Sequence, residues 1–133
     1  MNKSPKQREF VALTIAVLTV SDSRTEETDK SGKLVAGRLT DAGHALAGKK
    51  IVPDDIYTIR AVVAGWIADT DVDVVITTGG TGVTGRDGTP EAVAPLLDKT
   101  IEGFGETFRA ISYGQIKTST IQSRALAGVA NGT

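Results

Sequence analysis

Glycine and threonine residues are concentrated in one connection of this 133-residue chain, between residues 77 and 91. Five glycines fall within the twelve residues from Thr77 to Gly88, directly after a run of branched apolar residues. Glycine adopts backbone angles closed to other residues, so successive N–H groups of such a loop can point at one anion. Thr89-Pro90-Glu91 then has the pattern of a helix start. The spacing therefore predicts a strand, a phosphate-binding loop and a helix.

Known phosphate-binding motifs match the sequence of this loop to different degrees. Gly80-x-Gly82-x-x-Gly85 has the spacing of a dinucleotide fingerprint, but it follows the third predicted strand, and its helix begins only at Pro90. A Walker loop fits less well because no Gly-Lys-Ser/Thr sequence closes it. What remains is a general phosphate cradle of backbone amides and threonine hydroxyls, or a surface loop whose glycines serve only turn geometry.

Carboxylates follow each of the three predicted strands. Asp22 comes after the first, Asp54 and Asp55 after the second, and Asp87 lies in the glycine loop. The carboxyl ends of parallel strands meet at one edge of a sheet, so we expect an acid from each strand at one site. A carboxylate beside a bound phosphate needs a cation between them, which makes Asp87 a candidate Mg²⁺ ligand. The structural alternatives are a turn residue for Asp87 and a helix N-cap for one of Asp54 and Asp55.

Polar groups later in the chain support weaker hypotheses. Gly103 and Glu106 belong to a glycine-containing turn, and Glu106 with Arg109 has the spacing of an ion pair on a helix. Ser119 and Ser123 are expected to cap or flank the last predicted helix, with an oxyanion pocket as the functional alternative.

Alternating apolar runs and amphipathic segments set the fold class. Residues 11–20 and 72–78 are nearly continuous apolar runs, typical of buried parallel strands, whereas 45–52 is partly polar and suits a sheet edge. Strands that alternate with helices imply right-handed crossovers and an α/β fold, a three-layer α/β/α sandwich. The predicted helices cover residues 30–41, 56–67, 90–97 and 118–128, with one more after a turn at 102–106. Asp29 is the expected N-cap of the first of them.

Composition excludes several classes of protein. The chain has no cysteine and one histidine, which excludes disulfides, thiolate nucleophiles and a histidine-rich zinc site within one chain. A net charge of −1 offers no basic surface for nucleic acid, and no segment reaches the roughly 18 consecutive apolar residues of a membrane span. Residues 1–10 lack the apolar core of a secretion signal. We therefore expect a polar N-terminal arm over 1–10, one domain over 11–133 and a cytoplasmic location.

The glycine loop also carries a family resemblance. Its matching residues run from Thr77 to Gly82 and continue through Arg86-Asp87-x-Thr89-Pro90-Glu91. Supporting matches cover nearly the whole chain in order, at residues 20–24, 31–32, 52–55, 102–106 and 119–130. Together they resemble the signature of the MogA/MoaB molybdopterin-binding family. The polar arm and the Val129-Ala130-Asn131 ending are most similar to the MoaB branch of that family.

The resemblance implies both an assembly and an activity. The assembly is a homotrimer or homohexamer of domains with a mostly parallel sheet, working alongside other molybdenum cofactor biosynthesis proteins. The activity is Mg²⁺- and ATP-dependent adenylylation of molybdopterin, which releases pyrophosphate and prepares the pterin for molybdate insertion. Family members differ in competence, so the alternative is a non-catalytic oligomer that binds molybdopterin.

The resemblance also assigns roles residue by residue. Asp87 and Asp54 match the family's two acids, which act through metal and positioning, and Asp87 is the expected Mg²⁺ ligand. The binding residues it implies are Thr78, Gly79, Gly80, Thr81, Gly82, Ser21 and Asp22 around the phosphates, and Gly103, Glu106, Ser119 and Ser123 on the pterin side. The family continues with another strand, a Leu-Pro-Gly turn that contacts the nucleotide and a terminal helix. None of these follows residue 131 here, so we expect a C-terminally incomplete domain.

Overall fold

The computed structural model describes residues 8–133, and the expected N-terminal arm lies mostly outside that range. Regular structure begins with a strand and then alternates between strands and helices, as the sequence pattern predicts. The elements are β1 (Thr14–Val20), α1 (Lys30–Asp41), β2 (Ala45–Val52), α2 (Ile56–Ala68), β3 (Val74–Thr78), α3 (Thr89–Val93), β4 (Lys99–Thr100), α4 (Glu102–Ile116) and β5 (Gly128–Val129), with 3₁₀ turns at Ala94–Leu96 and Lys117–Gln122.

A parallel three-stranded sheet in the order β2-β1-β3 forms the centre of the fold. Val20 pairs with Val52 at the end of β2, and Thr19 pairs with Thr78 at the end of β3. All three carboxyl ends therefore lie at one edge of the sheet, which confirms the predicted α/β fold class. The predicted edge position of β2 is also confirmed. A short antiparallel pair, β4 with β5, lies outside this sheet.

Apolar side chains on the two faces of β1 separate the helices into two layers. Leu18 and Val20 pack with Ile59 and Val63 of α2, whereas Ile15 and Val17 belong to a second cluster with Leu39 of α1. Leu18 and Ile59 are fully buried. Because side chains alternate between the faces of a strand, one strand organises both halves of the core. This gives the expected three layers.

A buried carboxylate ties β1, α1 and β2 together. Asp29 is the N-cap of α1 and accepts from the Gly32 amide at 2.9 Å. Its second oxygen accepts from the Thr19 hydroxyl at 2.7 Å and from the Lys49 ammonium at 3.0 Å. Burial alone would raise the pKa of Asp29, but these hydrogen bonds outweigh burial and lower it. The predicted cap is confirmed, and its role extends to a buried ion pair that the sequence did not indicate.

Strand β3 is less buried than the sequence predicts. Its five residues are all half-buried because it forms the second edge of the sheet, with β1 as its one neighbour in residues 8–133. A cavity of about 510 Å³ follows this edge and is bounded on its other side by Phe104, Leu126 and Val129. The expectation that the third strand is covered like an interior strand is therefore wrong for the described residues.

The segment after β3 departs most from the sequence predictions. Residues 102–106 do not form a turn, since α4 begins at Glu102. The predicted helix over 118–128 is also wrong: a 3₁₀ turn ends at Gln122, and an extended stretch leads into β5. Arg109 donates to the carbonyl groups of Ser123 and Ala125, at 3.3 and 3.2 Å, rather than to Glu106. Contacts with α4 and with the glycine loop hold this stretch extended. No helix among residues 8–133 has both the length and the apolar character needed to cross a membrane.

Candidate functional site

The glycine loop joins β3 to α3 and passes close to the ends of β1 and β2. Gly79 and Gly80 have φ values of +99° and +68°, in the region that glycine enters without strain. A Cβ on Gly79 would overlap the carbonyl oxygen of Val20, and a Cβ on Gly80 would overlap the hydroxyl of Thr89 and the carboxylate of Asp54. Both positions therefore require glycine for conformation and for space.

Thr89 anchors the first half of the loop. Its amide donates to the Gly80 carbonyl at 3.1 Å, and its hydroxyl donates to the Gly79 carbonyl at 2.9 Å. Within residues 8–133 no backbone carbonyl accepts from the amides of Gly79, Gly80 or Thr81. An anion cradle requires fixed backbone amides that are not already bonded to a carbonyl group. Thr89 fixes this backbone through the carbonyl groups of Gly79 and Gly80, and the neighbouring amides meet the requirement.

The carboxylate of Asp87 turns back into its own loop. One oxygen accepts from the Thr84 amide at 2.9 Å and from the Thr84 hydroxyl at 2.8 Å. The hydroxyl and amide of Thr84 lower the pKa of Asp87, with a further contribution from the Gly82 amide. Asp87 is therefore charged at neutral pH and closes a local turn, which is the structural alternative that the sequence left open.

Asp54 lies at the centre of the acidic cluster. It accepts from the Gly88 amide at 3.0 Å and so contacts the far end of the glycine loop. Burial raises the pKa of Asp54, and the negative charges of Asp87 and Asp22 raise it further against the opposing effects of Gly88 and Arg86. An acid in such a negative surrounding favours a nearby cation, because a cation relieves the repulsion.

Asp22 acts as a link between strand ends. Arg86 donates to both of its oxygens, at 2.8 and 3.0 Å, and the Asp54 amide donates to one of them at 3.0 Å. The Arg86 guanidinium, followed by the Asp54 amide, lowers the pKa of Asp22. The structure therefore brings together the three acids that the sequence placed at one edge, and it gives each of them a different partner.

The three acids do not form a preassembled metal site. Among residues 8–133, no three acidic, histidine or cysteine side chains are grouped so that they could hold a metal ion. A magnesium ion commonly takes one or two protein carboxylates and completes its shell with water and ligand oxygens. Asp54 and Asp87 could supply the one or two carboxylates of that pattern. The role of Asp87 as a Mg²⁺ ligand therefore remains compatible with the structure and stays a prediction.

The remaining phosphate-side residues have structural partners of their own. The Ser21 hydroxyl accepts from the amides of Ser23 and Arg24, at 3.3 and 3.1 Å, and thereby shapes the turn after β1. Thr78 ends β3 immediately before the loop, and the Thr81 carbonyl accepts from the Arg124 amide at 2.9 Å.

The residues expected on the pterin side are not joined to the loop by hydrogen bonds in the described part of the chain. Gly103 and Glu106 are exposed in the first turns of α4. Ser119 is exposed on the 3₁₀ turn, and Ser123 follows the end of that turn. Their role in binding remains a prediction.

Two arginines of this region were not among the predicted site residues. Arg86 covers Asp22, and Arg124 contacts the carbonyl groups of Gly82 and Asp87, at 2.6 and 2.7 Å. Arg86 could have been suspected because it lies inside the glycine loop. No local signal points to Arg124, since its contacts are with residues about 40 positions earlier and the pattern around it favours a helix.

Replacing Gly79 with alanine is expected to destabilise the protein by about 2 to 3 kcal/mol, because the new methyl group meets the Val20 carbonyl at a strained φ of +99°. Gly85→Ala is the matched control, since Gly85 lies in the same loop with open space around its Cα. Urea unfolding of both variants measures the difference. Equal stabilities would show that the loop can move away from β1 without cost.

These features define an open parallel α/β protein with an anion-binding type of loop and three acids at the carboxyl edge of its sheet. Comparison with known proteins identifies the family. A family model described as "Probable molybdopterin binding domain" matches residues 16–132, and the chain belongs to this family.

Relatives and solved structures agree with this assignment. Molybdenum cofactor biosynthesis protein B of Escherichia coli (strain K12) is 54% identical over 125 residues, which are 94% of this chain and 74% of that protein. A crystal structure of molybdenum cofactor biosynthesis protein B superposes with a TM-score of 0.85 at 48% identity, covering 96% of this chain and 77% of that one. The tungsten cofactor synthesizing protein MoaB from Pyrococcus furiosus superposes with a TM-score of 0.80 at 40% identity, covering 98% and 78%. The resemblance to the MogA/MoaB family and its fold is confirmed.

Proposed function

We propose that this protein binds molybdopterin and acts in molybdenum cofactor biosynthesis, as a Mg²⁺- and ATP-dependent molybdopterin adenylyltransferase. The observation that carries the proposal is the glycine loop, whose amides at residues 79–81 have no backbone partner among residues 8–133. The loop contains Asp87 and donates its Gly88 amide to Asp54, in a fold of the molybdopterin-binding family. Anionic phosphates are the groups that such a loop binds best.

The proposed reaction needs no nucleophile from the protein. A phosphate oxygen of molybdopterin attacks the α-phosphorus of ATP, a new P–O bond forms, and the bond to the bridging oxygen breaks to release pyrophosphate. Such transfers depend on positioning and on neutralising phosphate charge. The loop amides would hold phosphate oxygens, and Asp54 and Asp87 would hold the magnesium ion. The ion would supply charge neutralisation between these carboxylates and the phosphates.

A non-catalytic molybdopterin-binding oligomer is the second candidate function. It is favoured by the internal partners of the acids, since Asp87 is bonded to Thr84 and Asp22 to Arg86. Carboxylates already satisfied by neighbouring donors have less need of a cation, which suits a protein that binds the pterin without metal chemistry.

The two candidates differ in their products. The protein is incubated with ATP, Mg²⁺ and molybdopterin, and adenylylated pterin and pyrophosphate are quantified by mass spectrometry and a coupled assay. Molybdopterin binding is measured in parallel by fluorescence. Binding without adenylylated product would leave only the non-catalytic function, and the absence of both would refute the proposal.

We also propose that the protein is a homotrimer or homohexamer. Helix α4 exposes large apolar side chains in a monomer, among them Phe108 at 44% and Ile111 at 66% exposure. Apolar surface of this kind is typical of association sites. Light scattering should give three or six times the 13.9 kDa mass of one chain. Ile111→Glu should shift this mass towards that of one chain, and a monomeric wild type would refute the proposal.

A further inference from the structure

Arg124 donates hydrogen bonds to three backbone carbonyl groups of the glycine loop. Its Nε donates to the Gly82 carbonyl at 2.6 Å, and its Nη2 donates to the Asp87 carbonyl at 2.7 Å. Its own amide donates to the Thr81 carbonyl at 2.9 Å. The side chain thus joins both ends of the loop segment 82–87 to the extended stretch before β5.

Glu91 fixes the orientation of this guanidinium. Its two carboxylate oxygens accept from Nη1 of Arg124 at 2.6 and 2.8 Å. Glu91 lies in the first turn of α3, so the arginine is held against the helix that follows the loop. The planar guanidinium presents several donors in fixed directions, which a lysine ammonium cannot reproduce.

One peptide unit connects Arg124 with Asp54. In a trans peptide the C=O and N–H groups point in opposite directions. The Asp87 carbonyl accepts from Arg124, and the amide of the next residue, Gly88, donates to Asp54 at 3.0 Å. Arg124 and Asp54 therefore hold the two sides of the same peptide plane, and the orientation of one sets the position of the other.

We infer that Arg124 is a positioning residue of the acidic site: by gripping the Gly82 and Asp87 carbonyls it fixes the glycine loop and, through the Asp87–Gly88 peptide, the carboxylate of Asp54. Among residues 8–133 its side chain donates to two loop carbonyls and to Glu91, which assigns it a positioning role. Its effect on turnover rests on the proposed adenylyl transfer. Its effect on the loop does not.

Amide hydrogen exchange tests directly whether Arg124 holds the glycine loop in place. In Arg124→Gln, exchange at Gly82, Thr84 and Gly88 is expected to accelerate about tenfold or more, because the loop opens locally. Arg60→Gln is the matched control: Arg60 likewise donates to two carbonyls, those of Glu91 and Ala92, both at 3.1 Å, and both acceptors lie in α3. Its loop exchange should stay at the wild-type rate.

Turnover distinguishes positioning from general support of the fold. In Arg124→Gln we expect kcat about 100-fold lower with the KM for molybdopterin nearly unchanged, because Asp54 is displaced while the pterin side is not. Arg124→Lys should restore only part of the lost kcat. A lysine ammonium can bond to one of the two carbonyls, but it cannot span both. A fall in activity explained only by unfolding would appear equally in Arg60→Gln.

Each outcome decides a separate claim. Wild-type exchange rates in Arg124→Gln would overturn the positioning role, whatever the activity. Accelerated exchange in a protein that never adenylylates molybdopterin would refute the proposed activity and leave the positioning role intact. If Arg124→Gln does not fold, Glu91→Ala replaces it, because it frees the guanidinium without removing it. Several-fold faster exchange then supports the role, and unchanged exchange overturns it.

Discussion

Replacement of Asp54 by asparagine is expected to lower the rate of adenylyl transfer about 100-fold or more while the fold is retained. Asparagine keeps an oxygen that can accept from the Gly88 amide, now at 3.0 Å from Asp54, so the loop contact survives. What is lost is the negative charge proposed to face the cation. Asp54 is a cleaner probe than Asp87, because Asp87 also closes its loop through Thr84.

The neighbouring residue provides a matched control for this test. Asp55 is the exposed N-cap of α2 and accepts from the Thr58 amide at 2.8 Å. Asn caps a helix as well as Asp, so Asp55→Asn removes the same charge one residue away at little cost in stability. Single-turnover rates should fall for Asp54→Asn alone. Equal rates in the two variants would show that Asp54 has no part in the chemistry.

The pH dependence of the same rate offers a second check. The raised pKa of Asp54 means that its carboxylate forms at higher pH than an ordinary aspartate. The rate should rise as pH rises through this pKa, and Asp54→Asn should lose that rise. The same rise in the variant would assign it to another group.

Asp29→Ala should lower the free energy of unfolding by about 3 to 5 kcal/mol, because it leaves the Lys49 ammonium largely buried without its main partner and removes a helix cap. The Asp29 side chain is fully buried, and that of Lys49 is 13% exposed. The second partner of Lys49, Glu26 at 3.3 Å, is 68% exposed and compensates only in part. Urea unfolding at neutral pH measures the loss.

Asp55→Ala measures the stability lost with a helix cap alone, so that the loss due to the ion pair of Asp29 can be told apart from it. Both aspartates cap helices, but Asp55 is exposed and its replacement should cost only about 1 kcal/mol. The folded-state pKa of Asp29 is lowered from its ordinary value of 3.8, so its stabilisation is complete above that value and is lost as pH falls through the folded pKa. The gap between wild type and Asp29→Ala should therefore narrow in acid. Equal losses for the two variants would contradict a stabilising ion pair.

Much of the central sheet could be predicted because its signals are local. The apolar run of β1, the N-cap at Asp29 and the helical stripe from Ile56 to Ile67 each act over a few residues, and the structure has them at nearly the predicted positions. The strand starts were predicted two to three residues too early, since β1 begins at Thr14 and β3 at Val74. Pairing with a neighbour, rather than apolar character, decides where a strand begins.

The C-terminal third was predicted poorly because long-range contacts override its local preferences. Residues 118–128 include good helix formers, yet the Arg124 amide bonds to Thr81, and Val129 pairs with Lys99. Each of these contacts requires extended backbone. Helix propensity amounts to a few tenths of a kcal/mol per residue, so a small number of tertiary hydrogen bonds outweighs it.

The sequence by itself determined that the acids following the strands and a glycine-rich connection would meet at one edge of the sheet, because parallel strands place the residues that follow them there. A glycine-rich connection at that edge suits an anion. Only the tertiary structure decided what each charged group does: Arg86 holds Asp22, Thr84 holds Asp87, and Arg124 grips the loop beside Asp54. The physical reason is distance. Several of these partners lie tens of residues apart in the chain, and an ionic partner is selected by position in space, which no local pattern records.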